Sequence, residues 1–567
     1  MKKLFVLSFF IFSSFFTVKL FYPIYSSEEI IITYGINPFD ICSNNLQLWN
    51  IIKLSYIFVF IFSNFTISSF IFNRFFNKFN YLKINSISTN NKKEIHSNNF
   101  KKDLNLLIGL DSTTNTKVYV PELGLYQNFL ITGTIGSGKT SSAMYPFTEQ
   151  LIKYNSKNSD KKIGMLILDV KGNYYKQIKY YTKKYNLFKD LIIIQLNSNV
   201  FYNPLHKPNL KPQVLANRLK TILLLFSENN TESYWIDKAE QVLTECIKLC
   251  RLYNDGYVTF LELHKLITIP NYYKEKINIL RNLFMSSKLN QKQIYDLNAS
   301  LDFFQKEFDS LDYRTKSILI SEITRITGSF VSDYDVMRTF CPPKEKLNFL
   351  GFKDILKKGK IVVLNMNISE YSILSKIIAT YLKLDFQTEI ISSISKNNVK
   401  SSAFICDEYD KYASKTDSEF FSLSREAKCI NIISTQSYSS LKLSLKDEYQ
   451  VKVLSQNLIN KIWFRSDDLF TIENAQKQLG KEEQKRISKS ISESAKKTNF
   501  SYITNTLHSQ DSNISESYNT YTQKDYIYDT NFFTQKLETF TALTFLSDGN
   551  KIISTKKLNL FPYFKNN

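Results

Sequence analysis

Two largely apolar runs open the chain, Leu4 to Val18 behind Met1-Lys2-Lys3 and Leu54 to Phe72, and each can be read as a membrane span. The first is short, but Lys19 can snorkel and Leu20 to Ile24 extend the helix toward the ~20 residues a bilayer needs. Between the runs, Ser26 to Asn50 carries Glu28, Glu29 and Asp40 but no Lys or Arg, whereas Lys2, Lys3, Arg74, Lys78 and Lys83 flank the outer ends. Lys53 alone cuts against that pattern. The positive-inside bias therefore predicts a two-pass hairpin anchor over residues 1–82 with the bulk of the chain cytoplasmic. A cleaved secretion signal is the competing reading of the first run. Residues 83–103 are polar, basic and rich in Asn and Ser, as in a linker lying near anionic headgroups.

Past Leu104 the pattern changes to short apolar runs separated by segments of helical spacing. Leu106 to Leu110 and Lys117 to Val120 predict strands, followed by Phe129 to Thr132, Lys162 to Asp169 and Leu191 to Leu196. Unbroken apolar runs of this length fit strands buried on both faces, so residues 104–210 predict a mostly parallel α/β sheet. From Lys211 the spacing is helical almost throughout, as in Ala239, Val242, Leu243, Cys246 and Ile247, and residues 211–345 predict an all-α insertion. The α/β pattern resumes over 346–567 with runs at Lys360 to Met366, Ser402 to Glu408 and Cys429 to Gln436. A sheet interrupted and then completed is one domain rather than two in series. Lys477 to Asn519, polar and of low complexity, predicts a helix followed by a mobile loop, and Phe540 to Leu560 returns to strands.

Composition narrows the partners. A length of 567 residues excludes a single small fold, and 43% hydrophobic residues suffice for a large core. The formal charge of +21 calls for an anionic partner, nucleic acid or anionic lipid, unless it reflects only a Lys- and Asn-rich bias. Six scattered cysteines without C-x-x-C spacing support neither a disulfide framework nor a zinc site, and all but Cys42 read as core thiols.

The chemistry centres on Gly133-Thr134-Ile135-Gly136-Ser137-Gly138-Lys139-Thr140, set between the strand ending at Thr132 and a helix predicted over Ser141 to Leu151. It satisfies G-x-x-x-x-G-K-[ST] in the required strand–loop–helix context. Glycines let backbone N–H groups turn inward around phosphate oxygens, Lys139 reaches the β- and γ-phosphates, and the Thr140 hydroxyl holds Mg²⁺. Downstream, four apolar residues followed by Asp407-Glu408 form a Walker B pattern. The aspartate is suited to the metal and the glutamate to deprotonating an attacking water. Asp169 ends an equally apolar strand and is a rival for the metal, but it lacks the adjacent acid and so reads as a residue near the phosphates, behind the direct ligands of the metal. Gln436 ends the next strand, where an amide can sense the γ-phosphate or simply terminate the strand. Arg425, read as lying on the intervening helix, is either an arginine finger for a neighbouring subunit or an exposed helix charge.

The order of hairpin, Gly133 to Thr140, Leu168-Asp169-Val170-Lys171-Gly172, Asn203-Pro204-Leu205, helical insertion, Cys406-Asp407-Glu408 and Ser434-Thr435-Gln436 resembles the type IV secretion coupling proteins, the TraG/TraD family. The resemblance covers almost the whole chain. It implies an α/β, RecA-like P-loop NTPase, usually a homo-hexamer, in the bacterial inner membrane, hydrolysing ATP with Mg²⁺. By that likeness Gly133, Thr134, Gly136, Ser137, Gly138, Lys139 and Thr140 contact the nucleotide, and Thr140 and Asp407 hold the metal. Glu408 is the base, Gln436 the sensor and Arg425 the finger in trans. The implied partners are DNA or a relaxase–DNA complex, the membrane, and the membrane proteins of the secretion channel. Val170 replaces a common proline and Asn173 a common acid. Lys551, Lys556, Lys557 and Lys565 make the last stretch basic, so docking through an acidic tail is not expected. An FtsK-like DNA translocase is an alternative, set apart by the Asp-x-Lys-Gly element and the large insertion. A protein-effector receptor that never touches DNA is another. A non-hydrolysing anchor is disfavoured by Glu408.

Overall fold

The computed structural model describes residues 104–565, apart from 159–160, 227–232, 286–288, 396–398, 494–497, 502–505 and 510–513, together with Ile51, Leu54, Ser55, Phe58 and Phe62. The expected membrane hairpin and basic linker therefore lie almost wholly outside the described residues. Among the described residues no helix is long and apolar enough to cross a membrane.

The strands run in chain order as β1 (Asn105–Asp111), β2 (Lys117–Pro121), β3 (Phe129–Thr132), β4 (Gly164–Leu168), β5 (Leu191–Ile194), β6 (Ile361–Leu364), β7 (Ser402–Cys406), β8 (Cys429–Thr435) and β9 (Asn460–Trp463). After them come β10 (Lys481–Glu493), β11 (Thr498–Ser501), β12 (Thr506–Ser509), β13 (Ile514–Tyr526), β14 (Thr541–Ser547), β15 (Ile552–Ser554) and β16 (Lys557–Asn559). One sheet has the order β2-β1-β16-β14-β9-β3-β8-β7-β4-β6-β5, with β15 paired to β14. From β9 to β5 every pairing is parallel. From β14 outward the pairings are antiparallel.

Parallel strands end at one edge, and the register brings those ends level. Thr132 pairs with Thr435 and with Trp463, and Leu168 with Cys406. The residues that follow, Gly133, Gln436, Phe464, Asp169 and Asp407, therefore leave the sheet side by side. The chain passes from β3 to β4 across the places later taken by β8 and β7, so the sheet edge there is a crossover point, where ligands of such sheets bind.

Period-2 alternation divides the buried strands between two cores. Phe129, Ile131, Met165, Ile167, Val363 and Ile405 pack with Phe147 and Leu151 of the helix Tyr145–Lys153. Leu130, Leu166, Leu168, Val362 and Phe404 face the other way and join the helices inserted between β5 and β6. These helices are Pro212–Phe226, Ser233–Tyr253, Phe260–Thr268, Tyr272–Met285, Gln291–Asp302, Tyr313–Val331 and Tyr334–Phe340. They share one continuous apolar cluster with the sheet face, including Phe260 stacked on Phe330 at 3.9 Å. Full burial of each such side chain contributes roughly 1.5–3 kcal/mol. Helix starts are fixed by Thr259, Asn290 and Asp312, whose side chains accept from backbone N–H groups, each worth about 1 kcal/mol.

The stretch expected to be a helix and then a mobile loop is built differently. The helix Leu469–Leu479 stops at Gly480, and β10 then pairs with β13 over its whole length. Ile487, Ile491, Tyr518 and Tyr521 on this ribbon are exposed. With neither face covered, the strands carry no in–out alternation that the sequence could betray. Among the free cysteines, Cys246, Cys250, Cys406 and Cys429 are buried core thiols as expected, while Cys341 is only partly covered.

Candidate active site

The loop after β3 is held at both flanks by neighbouring strand ends. Gly133 N–H donates to the Gln436 carbonyl at 3.2 Å, Thr134 N–H to the Arg465 carbonyl at 2.8 Å, and Ser137 Oγ to the Thr134 carbonyl at 2.7 Å. Gly138 has φ +100°, and a Cβ there would lie 2.6 Å from Phe540 Cδ1, so only glycine fits. Phe540 itself sits at φ +66°, held by its N–H to the Ser137 carbonyl at 3.2 Å and by its carbonyl accepting from Leu560 N–H at 2.8 Å. A bulky side chain kept in the left-handed region by two hydrogen bonds is strain stored against the loop.

The segment predicted as a plain helix from Ser141 starts with a wider turn. Thr140–Met144 is π-helical, with Tyr145 N–H donating to the Thr140 carbonyl, and the α-helix begins only at Tyr145. Pro146 has no N–H to return to the preceding turn, which accounts for the register change. Ser142 Oγ donates to the Gly138 carbonyl at 2.8 Å and ties this turn to the loop.

Lys139 is buried, and its ammonium donates to the carbonyls of Gly133 and, at 3.1 Å, Thr134. Burial pushes its pKa down, and the field of Asp407 opposes that. Thr140 Oγ1 donates to Asp407 Oδ2 at 2.7 Å. The other Asp407 oxygen accepts from Ser434 Oγ and from Glu408 N–H at 3.1 Å. A hydroxyl and a carboxylate in contact beneath a glycine loop are hard oxygens of the kind Mg²⁺ takes alongside water and phosphate oxygens, so the residues present fit that ion.

Glu408 lies in the left-handed region at φ +50°, and its carboxylate pairs with Lys171 Nζ at 2.8 Å. Burial opposes the charge on Lys171, but the hydrogen bond and field of Glu408, with Asp407 and Asp169, raise its pKa overall. Asp169 accepts from the N–H groups of Lys171 at 3.0 Å, Asn173 at 2.8 Å and Tyr174 at 3.0 Å. Its carboxylate thus closes the turn that carries Lys171 and starts the helix Tyr174–Lys184, rather than facing the loop as a metal ligand. Burial nevertheless raises its pKa, the three amides pulling the other way.

Gln436 borders a cavity of ≈ 570 Å³ shared with Thr134, Ile135, Arg465 and Asp468, beside the start of the loop. Arg425 is elsewhere. It stands exposed in the turn after the helix Asp417–Leu423, just before β8, at the edge opposite the phosphate loop, so it is not brought to this chain's own site. Sequence reasoning gave no role to Ser434, Phe540 or Arg465. Ser434 left a signal, since it opens the Ser434-Thr435-Gln436 element at the end of its strand. Phe540 left none, because only the fold brings it against Gly138.

The sequence matches no protein-family profile and no curated protein. Solved structures do match. The bacterial conjugative coupling protein TrwBdeltaN70, in its unbound monoclinic form, is similar at 13% identity with a TM-score of 0.53, over 83% of this chain and 91% of that one. The plasmid coupling protein TrwB in complex with the non-hydrolysable GTP analogue GDPNP is similar at 13% identity, TM-score 0.51, over 81% and 95%. TrwB in complex with ADP and Mg²⁺ is similar at 14% identity, TM-score 0.50, over 78% and 87%. Over most of its length the chain thus has the coupling-protein fold.

Proposed function

We propose that this chain is a membrane-anchored ATPase that couples a DNA or nucleoprotein substrate to a type IV secretion or conjugation channel and drives its translocation. The observation that carries the proposal is the convergence of Lys139, Thr140, Asp407 and Glu408 at one edge of a sheet whose fold is shared with TrwB. In this reading Gly133, Thr134, Gly136, Ser137 and Gly138 present N–H groups to the phosphates, and Lys139 exchanges its carbonyl partners for phosphate oxygens. Thr140 and Asp407 hold Mg²⁺, which supplies charge neutralisation when bound. Glu408, released from Lys171, orients and deprotonates the attacking water, and Gln436 senses the γ-phosphate. Arg425, far from its own chain's loop, serves the site of a neighbour in a homo-hexamer. An anchor at residues 1–82 would place the ATPase at the cytoplasmic face of the inner membrane.

The test is ATP turnover by the full-length protein in detergent, with and without single- and double-stranded DNA, beside Lys139→Ala and Glu408→Gln. DNA-stimulated turnover that both variants lose is the expected result. Turnover indifferent to DNA at low salt would overturn the DNA motor and favour a protein-effector receptor, and no turnover at all would overturn the ATPase.

A further inference from the structure

β9 alternates between the two sides of the sheet. Ile462 enters the core of the helix Tyr145–Lys153, while Trp463 packs on Ile472, Ala475 and Leu479 of the helix Leu469–Leu479. Lys461, two residues before Trp463, shares the Trp463 side and stands opposite Phe545 in the β9–β14 ladder. It is only 5% exposed.

A lysine so placed needs an anion. Lys383, covered more completely still, has one in Asp417 at 2.6 Å. Lys461 has no carboxylate or other hydrogen-bond partner among the described residues, and burial alone lowers its pKa to about 8. In front of it opens a cavity of ≈ 480 Å³ walled by Tyr438, Phe470 and Phe545, with Lys452 and Lys477 also lining it. Lys452 pairs with Glu448 at 3.0 Å and Lys477 with Glu473 at 3.7 Å, and Glu448 is shared with Lys442. The surrounding carboxylates are thus committed to other lysines. An ammonium so covered and left unpaired is disfavoured, and an incoming anion would offset that.

We propose that this cavity, distinct from the phosphate loop, is a binding site for a phosphate-type anion, with Lys461 as its floor and Lys452 and Lys477 as flanking charges. Aromatic walls around a cationic floor suit a phosphate carrying an organic group as well as the free ion. The source is therefore either inorganic phosphate or a nucleic-acid phosphate, and the experiment separates them.

The full-length Lys139→Ala protein, in which the phosphate loop is disabled, is titrated with inorganic phosphate by calorimetry. One saturable site is expected, weakened about tenfold or more by adding Lys461→Met, as for loss of a charge-assisted hydrogen bond. The pair Lys452→Gln and Lys477→Gln is expected to weaken it less. Absence of a saturable site, or equal affinity after Lys461→Met, overturns the proposal. If Lys461→Met does not fold, the flanking pair decides, and unchanged affinity there overturns it. Displacement of bound phosphate by a short 5′-phosphorylated oligonucleotide assigns the site to nucleic acid. Retention assigns it to the free ion.

Discussion

Where the helix Ile368–Ser393 packs against the start of the helix Asp417–Leu423, Lys383 and Asp417 meet at 2.6 Å with neither side chain exposed. At the open sheet edge a few residues away, Lys171 and Glu408 meet at 2.8 Å with Lys171 58% and Glu408 16% exposed. The first pair is saturated. Lys383 also donates to the Tyr412 carbonyl at 2.6 Å and Ser414 Oγ at 3.0 Å, using all three of its protons. Asp417 additionally accepts from Tyr409 OH, Gln387 Nε2 at 2.9 Å and Ser414 N–H at 2.8 Å. Glu408 has Lys171 as its one side-chain partner among the described residues. The contrast separates a fixed foundation from an exchangeable group on the same segment. The network around Asp417 pins the segment that begins with Asp407, and Glu408 is left with a partner it can give up.

The largest effects should fall on opposite readouts. Glu408→Gln keeps the shape and removes the base, so turnover should drop about 10²–10⁴-fold, with thermal stability within about 0.5 kcal/mol. A variant with unaltered turnover would remove Glu408 from the chemistry. Asp417→Ala should do the reverse. Stripping the partner from a buried ammonium costs about 3–5 kcal/mol, read as a lower urea midpoint at unchanged m-value. A midpoint within error of the parent would show that the saturated network is not what holds the loop.

Gly138→Ala ranks next. Its Cβ would meet Phe540 at 2.6 Å in a backbone region unsuited to side chains. Overpacking of this kind costs about 1–3 kcal/mol, and nucleotide affinity should fall with stability because the same loop carries both. Gly138→Ala/Phe540→Ala should recover most of the packing cost but not the backbone strain. Recovery of everything would mean that the left-handed turn is unimportant.

How far this layout was legible in the sequence depends on burial. Phe129 to Thr132, Gly164 to Leu168 and Ser402 to Cys406 are apolar at every or nearly every position because both strand faces are covered, and they stand out as runs. The loop residues Gly133 to Thr140 were legible for a different reason: phosphate cradling demands glycines at fixed spacing. The β10–β13 ribbon was not legible, since two uncovered faces impose no period. Nor was Lys461, whose burial depends on its place beside Phe545 and on Tyr438 and Phe470, which only the fold brings to it. Asp169 read as a rival to Asp407 for the metal, ranked below it for want of an adjacent acid, and only the three backbone amides on its oxygens reveal a turn-closing carboxylate.

The smallest expected effect is the sharpest test of the comparison. Lys171 is more than half exposed, so solvent screening limits its pair with Glu408 to about 0.2–1 kcal/mol. Lys171→Met should therefore leave the unfolding midpoint nearly unmoved. A double-mutant cycle with Glu408→Gln should return a coupling in that range and smaller at high salt. Turnover is where the pair can show itself. If Lys171 restrains Glu408, its loss should change turnover by a few-fold while nucleotide affinity holds, because neither Lys139 nor Thr140 touches it. A coupling of several kcal/mol, comparable to that expected at Lys383 and Asp417, would mean that Glu408 is locked rather than lent, and the division between fixed foundation and exchangeable group would fall.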